Sequence, residues 1–127
     1  MFTHVTVGSN DLEASTRFYN AVLGALGTAS GMPDEAGGRV FYLSSRAMFG
    51  VTRPIDGQPA CHANGGTIGF AASSTEAVDA FHKAGVENGG VSVESPPGVR
   101  NMKFGAMYLA YLRDPAGNKI CAVHRMG

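Results

Sequence analysis

The sequence predicts an α+β fold of two tandem βαβββ modules within one domain, and three observations carry that prediction. First, the halves of the chain read alike: with His4 set on Thr67, Glu13 falls on Glu76, Ala14 on Ala77, Phe18 on Phe81 and Ala21 on Ala84, which keeps one helix face in phase. Second, each half opens with a short apolar strand followed by an amphipathic helical pattern with a capping signal at its start. Third, a turn-rich stretch divides the halves, giving module one at about 1–54, a linker at about 55–65 and module two at about 66–127.

In the first half, Thr3 to Val7 reads as a strand and Gly8-Ser9-Asn10 as a turn. Asn10 is placed to cap a helix, with Glu13 three residues on. Leu12, Phe18, Tyr19, Val22 and Leu23 recur at helical spacing. Gly24 suits the left-handed residue that closes a helix. The Gly-rich connection from Gly31 to Gly38 reads as a hairpin loop, and Val40 to Ser44 and Ala47 to Arg53 as short strands ending at Pro54.

The second half repeats the plan. Thr67 to Ala72 is a strand, and Ser73 with Glu76 forms another capping pattern. Ala77, Val78, Phe81 and Ala84 make an apolar stripe that Gly85 stops. Val91 to Glu94 reads as a strand, after which Pro96-Pro97-Gly98 calls for a loop, because proline cannot donate to a ladder. Ala106 to Arg113 and Lys119 to Arg125 are strands around the turn Asp114-Pro115-Ala116-Gly117-Asn118.

Composition narrows the function classes. The 127 residues are 44% hydrophobic and 16% charged, enough for one globular core. Ten basic and ten acidic residues balance, and no basic run provides the footprint of a nucleic-acid binder. No apolar run is long enough for a bilayer span, and the start Met1-Phe2-Thr3-His4 carries no secretory pattern, so the expected setting is the cytoplasm. Cys61 and Cys121 form no CxxC pair and read as free thiols in a reducing compartment. Phosphate-binding, nucleophile-elbow and HExxH motifs are absent from the sequence.

The segments His4-Val5-Thr6-Val7, Asp11-Leu12-Glu13 leading to Phe18-Tyr19 and Val22-Leu23-Gly24, and Asp114 through Ile120 together make the chain resemble the vicinal oxygen chelate superfamily, which includes glyoxalases, bleomycin-resistance proteins and dioxygenases. The resemblance extends over nearly the whole chain. It implies that the modules curl into an open-barrel cup holding metal and substrate, and that the protein is a homodimer.

In metal-dependent members of that superfamily, four strand positions supply histidine and glutamate ligands to a divalent ion. Carried over one at a time, these positions fall on His4, near Phe49 with Gly50 beside it, on Thr67 and on Cys121. His4 is a good ligand, Phe49 and Gly50 cannot bind metal, Thr67 is a poor donor, and Cys121 offers a soft thiolate where a carboxylate is expected. A divalent metal therefore lacks its full ligand set. Additional donors would have to come from Cys61, His62, His82 or His124, of which His124 should face away from Cys121 on its strand.

The cup-lining candidates for substrate are His4, Phe49, Arg53, Thr67 and Cys121. His4 can act as ligand, general base or hydrogen-bond donor, or be a half-exposed strand histidine; Cys121 can be a nucleophile, a ligand or a small buried hydrophobe. Phe49, Val51 and Arg53 share a strand face, as do Cys121, Val123 and Arg125, so a cup lined by both faces would have an apolar floor and arginines at its rim. The segment from Pro96 to Phe104 reads first as an ordinary surface loop, with a loop closing over the cup and Arg100 as its anion clamp as the alternative. Three readings follow: a glyoxalase-like lyase or isomerase acting on a small organic substrate at a degenerate metal site; a non-catalytic drug- or metabolite-binding protein of the resistance type; and, third in order, a structural or regulatory dimer with no ligand.

Overall fold

The computed structural model describes residues 1–34 and 36–127. They form, in chain order, β1 (His4–Gly8), α1 (Leu12–Ala25), β2 (Met32–Asp34), β3 (Arg39–Leu43), β4 (Met48–Thr52), β5 (Ile68–Ala71), α2 (Thr75–Glu87), β6 (Val91–Met102), β7 (Gly105–Arg113) and β8 (Lys119–Arg125). One open sheet has strand order β1-β4-β3-β2 and the other β5-β8-β7-β6. In each, the opening strand pairs in parallel with the closing one and the rest is antiparallel. The two halves are therefore the same βαβββ unit, as the repeat predicts.

The helix starts keep the repeat register but use different residues from those expected. Asp11, not Asn10, caps α1 by accepting from Ala14 N at 3.1 Å. Ser74, not Ser73, caps α2 by accepting from Ala77 N at 3.1 Å. Asp11 and Ser74 superpose in the alignment that sets His4 on Thr67, and each satisfies an amide that the first helical turn leaves without a partner. Asn10 instead exchanges two hydrogen bonds with the linker: its side chain donates to Ala60 O at 3.1 Å and accepts from Ala60 N at 2.6 Å.

Neither predicted glycine stop holds. The chain leaves α1 through Gly27 (φ 93°), with Thr28 N donating to Leu23 O at 2.9 Å, so Gly24 lies within the helix. Gly85 also lies within its helix, and α2 runs on to Glu87. A Cβ on Gly85 would come within 2.3 Å of Leu112 Cδ1, 3.2 Å of Val22 Cγ1 and 3.3 Å of Phe18 Cε1. That glycine is where α2 closes on α1 and β7.

Two strand expectations are also corrected. Part of the Gly31–Gly38 connection is the short strand β2, paired with β3 so that Pro33 sits on the sheet edge, where no amide is needed. Glu35, within that connection, lies outside the described residues. Pro96 and Pro97 do not end a strand either. They lie in an irregularity of the edge strand β6, whose register with β7 shifts between Val93 and Gly98.

Strand alternation sorts each sheet into a face under the helices and a face away from them. The helix side carries Val40, Tyr42, Phe49 and Val51 in the first sheet and Ala110, Leu112, Ile120 and Ala122 in the second. Phe18, Tyr19, Val22 and Leu23 of α1 and Val78 and Phe81 of α2 join them in one continuous core. Phe49 and Phe70 meet across the modules with ring centroids 5.1 Å apart. Burial of each large apolar side chain contributes roughly 1.5–3 kcal/mol. Among the described residues, backbone ladders join strands only within a module. The modules are linked by this core and by polar contacts from the Asp114–Asn118 turn: Tyr19 donates to Asp114 Oδ2 at 2.6 Å, and Asn118 Nδ2 donates to Gly8 O at 3.0 Å.

Candidate functional site

Where β1, β5 and the start of β8 come together under the linker, a cleft of about 340 Å³ opens. Its walls include Thr6 and Gly8 of module one, Cys61 of the linker, and Thr67, Asn118 and Lys119 of module two. Both modules are needed to form it.

The sequence candidates do not converge there as a group. Thr67 lines the cleft. His4 is exposed on β1, opposite Met48, with Nδ1 2.9 Å from Thr3 Oγ1. Cys121 is 5% exposed, outside the helix-side core, and directly opposite Gly69 and Tyr111. Phe49 lies on the other side: its ring packs 4.8 Å from that of Tyr19, beneath α1. A cup lined by both the Phe49 and the Cys121 strand faces is therefore corrected, because one face meets the helices and the other turns away. Arg53 continues the Phe49 face and lines a separate groove of about 860 Å³ between α1 and the sheet edge, beside Arg17 and Arg39.

The register also fixes the second carried-over position. Thr6 pairs with Gly50 as Gly69 pairs with Cys121, and Thr6 falls on Gly69 in the repeat, so the counterpart of Cys121 is Gly50. A Cβ at Gly50 would stand 3.2 Å from Thr6 Oγ1 and 3.5 Å from the Phe41 ring. Any side chain there would crowd the Thr6 hydroxyl and touch the Phe41 ring. Burial pushes the Cys121 thiol up to about 11, despite the opposing charge of Lys119, so it stays protonated near neutral pH and is a poor nucleophile. His62 packs against Gly117, His82 hydrogen-bonds Ser92 Oγ at 2.7 Å, and His124 reaches Ala72 O at 3.0 Å. Among the described residues, no three His, Cys, Asp or Glu side chains gather to hold a metal ion. The divalent ion that the resemblance implies does not fit this set of donors.

A different polar centre occupies the helix-free face of module two. Lys119 shares its strand face with Cys121 and Val123, and its ammonium pairs with the Glu94 carboxylate. Lys119 Nζ also sits 4.9 Å from the centroid of the Tyr111 ring. Glu94 reaches Lys119 from the β6 irregularity with φ 59°, a left-handed conformation that costs a non-glycine residue about 1 kcal/mol or more. Arg100 holds that irregularity, donating to Ser95 O at 2.8 Å, Pro96 O at 3.1 Å and Gly98 O at 3.2 Å. Its guanidinium is a backbone staple, which is not the free group that the anion-clamp alternative requires. Burial raises the Tyr111 pKa, with the Cys121 and Glu94 charges adding to the shift, so Tyr111 remains a neutral phenol. The sequence reading missed Lys119 and Glu94. Their signal was partial: Lys119 lies two residues before Cys121, on the same strand face.

The model of the Glyoxalase/Bleomycin resistance protein/Dioxygenase superfamily matches residues 1–122. A glyoxalase/bleomycin resistance protein from Albidiferax ferrireducens T118 is similar in structure at a TM-score of 0.95 and 58% identity, over 98% of this chain and 99% of that one. A glyoxalase/bleomycin resistance protein/dioxygenase family enzyme from Burkholderia phytofirmans PsJN shares the fold at a TM-score of 0.71 and 16% identity, over 98% of each chain. A lactoylglutathione lyase from Agrobacterium tumefaciens does so at 0.67 and 22%, over 97% of this chain and 92% of that one. Comparison with curated proteins gives no match.

Proposed function

The chain belongs to the glyoxalase/bleomycin resistance protein/dioxygenase superfamily, and from that premise we propose that it binds a small organic molecule in the cleft between its modules without a resident metal ion. The observation that carries this reading is the set of residues at the four carried-over ligand positions: His4, Gly50, Thr67 and Cys121, of which only His4 is a usual donor for such an ion. Divalent-ion sites need several imidazole and carboxylate donors aimed at one point. Thr6 and Thr67 give the cleft hydroxyl partners, and its apolar lining suits the body of an organic ligand.

Elemental analysis of untagged protein, before and after incubation with nickel, zinc, manganese and iron, tests the reading. We expect metal far below one equivalent, with no change on His4→Ala. A near-stoichiometric ion that disappears in His4→Ala overturns it.

One observation favours a second reading, a metal-free lyase or isomerase. The Glu94 carboxylate and Lys119 ammonium form an acid–base pair, and Lys119 is one of the residues lining the cleft. Turnover of a small carbonyl or thiol-adduct substrate by metal-free protein, lost in Glu94→Gln, would select that reading.

The proposal includes a homodimer. Leu43 is 49% exposed on the helix-free face of module one, with Phe41 and Met48 half-buried beside it. A second copy over this face would remove that apolar surface from water.

A further inference from the structure

We infer that the cleft and the adjoining face of module two recognise an organic anion, whose carboxylate or phosphate group docks on Lys119. This rests on the small-molecule reading above and adds the class of ligand and the residue that selects it.

The charges of module two are sorted by side. Its acidic residues are Glu76, Asp79, Glu87, Glu94 and Asp114. Glu76, Asp79 and Glu87 belong to α2, and Asp114 turns inward to Tyr19. Glu94 alone of the five reaches the helix-free face. Strand pairing places Lys119 and Arg113 in one cross-strand pair of that face, with Arg125 on the same side of β8 and Arg100 linked to it through Met107. Four cations thus share a face with one carboxylate, in a chain whose ten basic and ten acidic residues balance only as a whole.

Within this set Lys119 has the position to meet a ligand. Arg100 is committed to three carbonyls of the β6 irregularity, and Arg113 donates to Gly117 O at 2.7 Å. Lys119 lines the cleft itself, beside Thr67 and Asn118. Its side chain is 24% exposed and that of its partner Glu94 46%, so both members of the pair are partly open to solvent. Tyr111 steadies the ammonium from the ring side. Glu94 then acts as a built-in competitor: its carboxylate occupies the place that the ligand's anionic group takes on binding. The ion pair keeps Lys119 extended into position when no ligand is present.

Titration of the full chain with benzoate, phenyl phosphate and benzyl alcohol, followed by amide NMR shifts and calorimetry, tests the inference. Benzoate or phenyl phosphate should bind saturably, and whichever binds tighter identifies the preferred anionic group. Lys119→Met should weaken that binding about tenfold or more, while Lys119→Arg keeps most of it. Glu94→Gln should strengthen it several-fold, because the competing carboxylate is gone; a merely structural ion pair would give the opposite sign. Circular dichroism establishes that each variant is folded. Equal binding by parent and folded Lys119→Met, or weaker binding by folded Glu94→Gln, overturns the inference. If benzyl alcohol binds as tightly as the anions and regardless of residue 119, the small-molecule reading stands and the anionic anchor falls. If none of the three probes binds, both fall.

Discussion

Tyr19 and Asp114, 95 residues apart, meet at 2.6 Å in the interior, the phenol of α1 donating to a carboxylate in the last turn of module two. Asp114 Oδ2 also accepts from Asn118 Nδ2 at 2.8 Å, and Oδ1 accepts the amides of Ala116 and Asn118, each at 2.9 Å. This network explains why a turn motif contributes to the union of the modules: its carboxylate holds the turn on one side and the other helix on the other. Tyr19→Phe should cost about 1.5–3 kcal/mol of stability in urea unfolding, the range for a hydrogen bond to a charged group.

The same tyrosine predicts a pH dependence. Burial, and then the charge of Asp114, hold its pKa well above the ordinary 10.0. The unfolded chain therefore releases this proton before the folded one does. The stabilisation is complete below about pH 10 and is lost as the pH climbs beyond it. The stability gap between the parent and Tyr19→Phe, measured by urea unfolding from pH 8 to 11, should be constant at first and shrink above pH 10; a gap that widens contradicts the assignment.

Two helix glycines should respond to alanine with opposite signs. At Gly85 the new methyl collides with Leu112, Val22 and Phe18, and we expect a loss of about 1–3 kcal/mol although alanine favours helix. At Gly24 a Cβ meets nothing within 4 Å, so alanine should stabilise by up to about 1 kcal/mol. Thermal unfolding of the two variants side by side decides it.

The cysteines should be chemically unequal. Cys61 is exposed; Cys121 is buried, with its thiol raised from 9.0 to about 11. One thiol per chain should react with a disulfide reagent at pH 8, and two in denaturant. Because the folded thiol titrates above the unfolded one, its contribution to stability is intact below pH 9 and disappears as the pH rises toward 11. Rapid reaction of both thiols in native protein would show that the helix-free face opens.

Light scattering on the parent chain should report a dimer, and Leu43→Glu should shift it to a monomer, since a charge would be buried at the proposed contact. A parent chain that is monomeric at micromolar concentration rules the contact out.

Strand and helix order was legible because both are periodic patterns of neighbouring residues, and the repeat read each pattern twice. What escaped was decided by distant neighbours. Gly85 reads locally as a helix stop, yet it is there because Phe18, Val22 and Leu112 leave no room for a side chain. Pro96 and Pro97 read as a loop, yet an edge strand tolerates them once Arg100 ties up the carbonyls around the irregularity. At the site, His4, Thr67 and Cys121 were visible through the family resemblance. The meeting of Lys119 with Glu94 was not, because an irregular strand delivers the carboxylate and its reach cannot be read from alternation.

Asn10 and Ala60 bind each other through both a donor and an acceptor, while no backbone ladder among the described residues runs from one sheet to the other. The chain therefore has a natural parting line. Cut at Asp56–Gly57, it would yield two fragments with intact sheets, the second keeping Ala60 at its front end as a docking tab for Asn10. Such halves should find each other again when mixed, and their reassembly would serve as a reporter of the closed cleft.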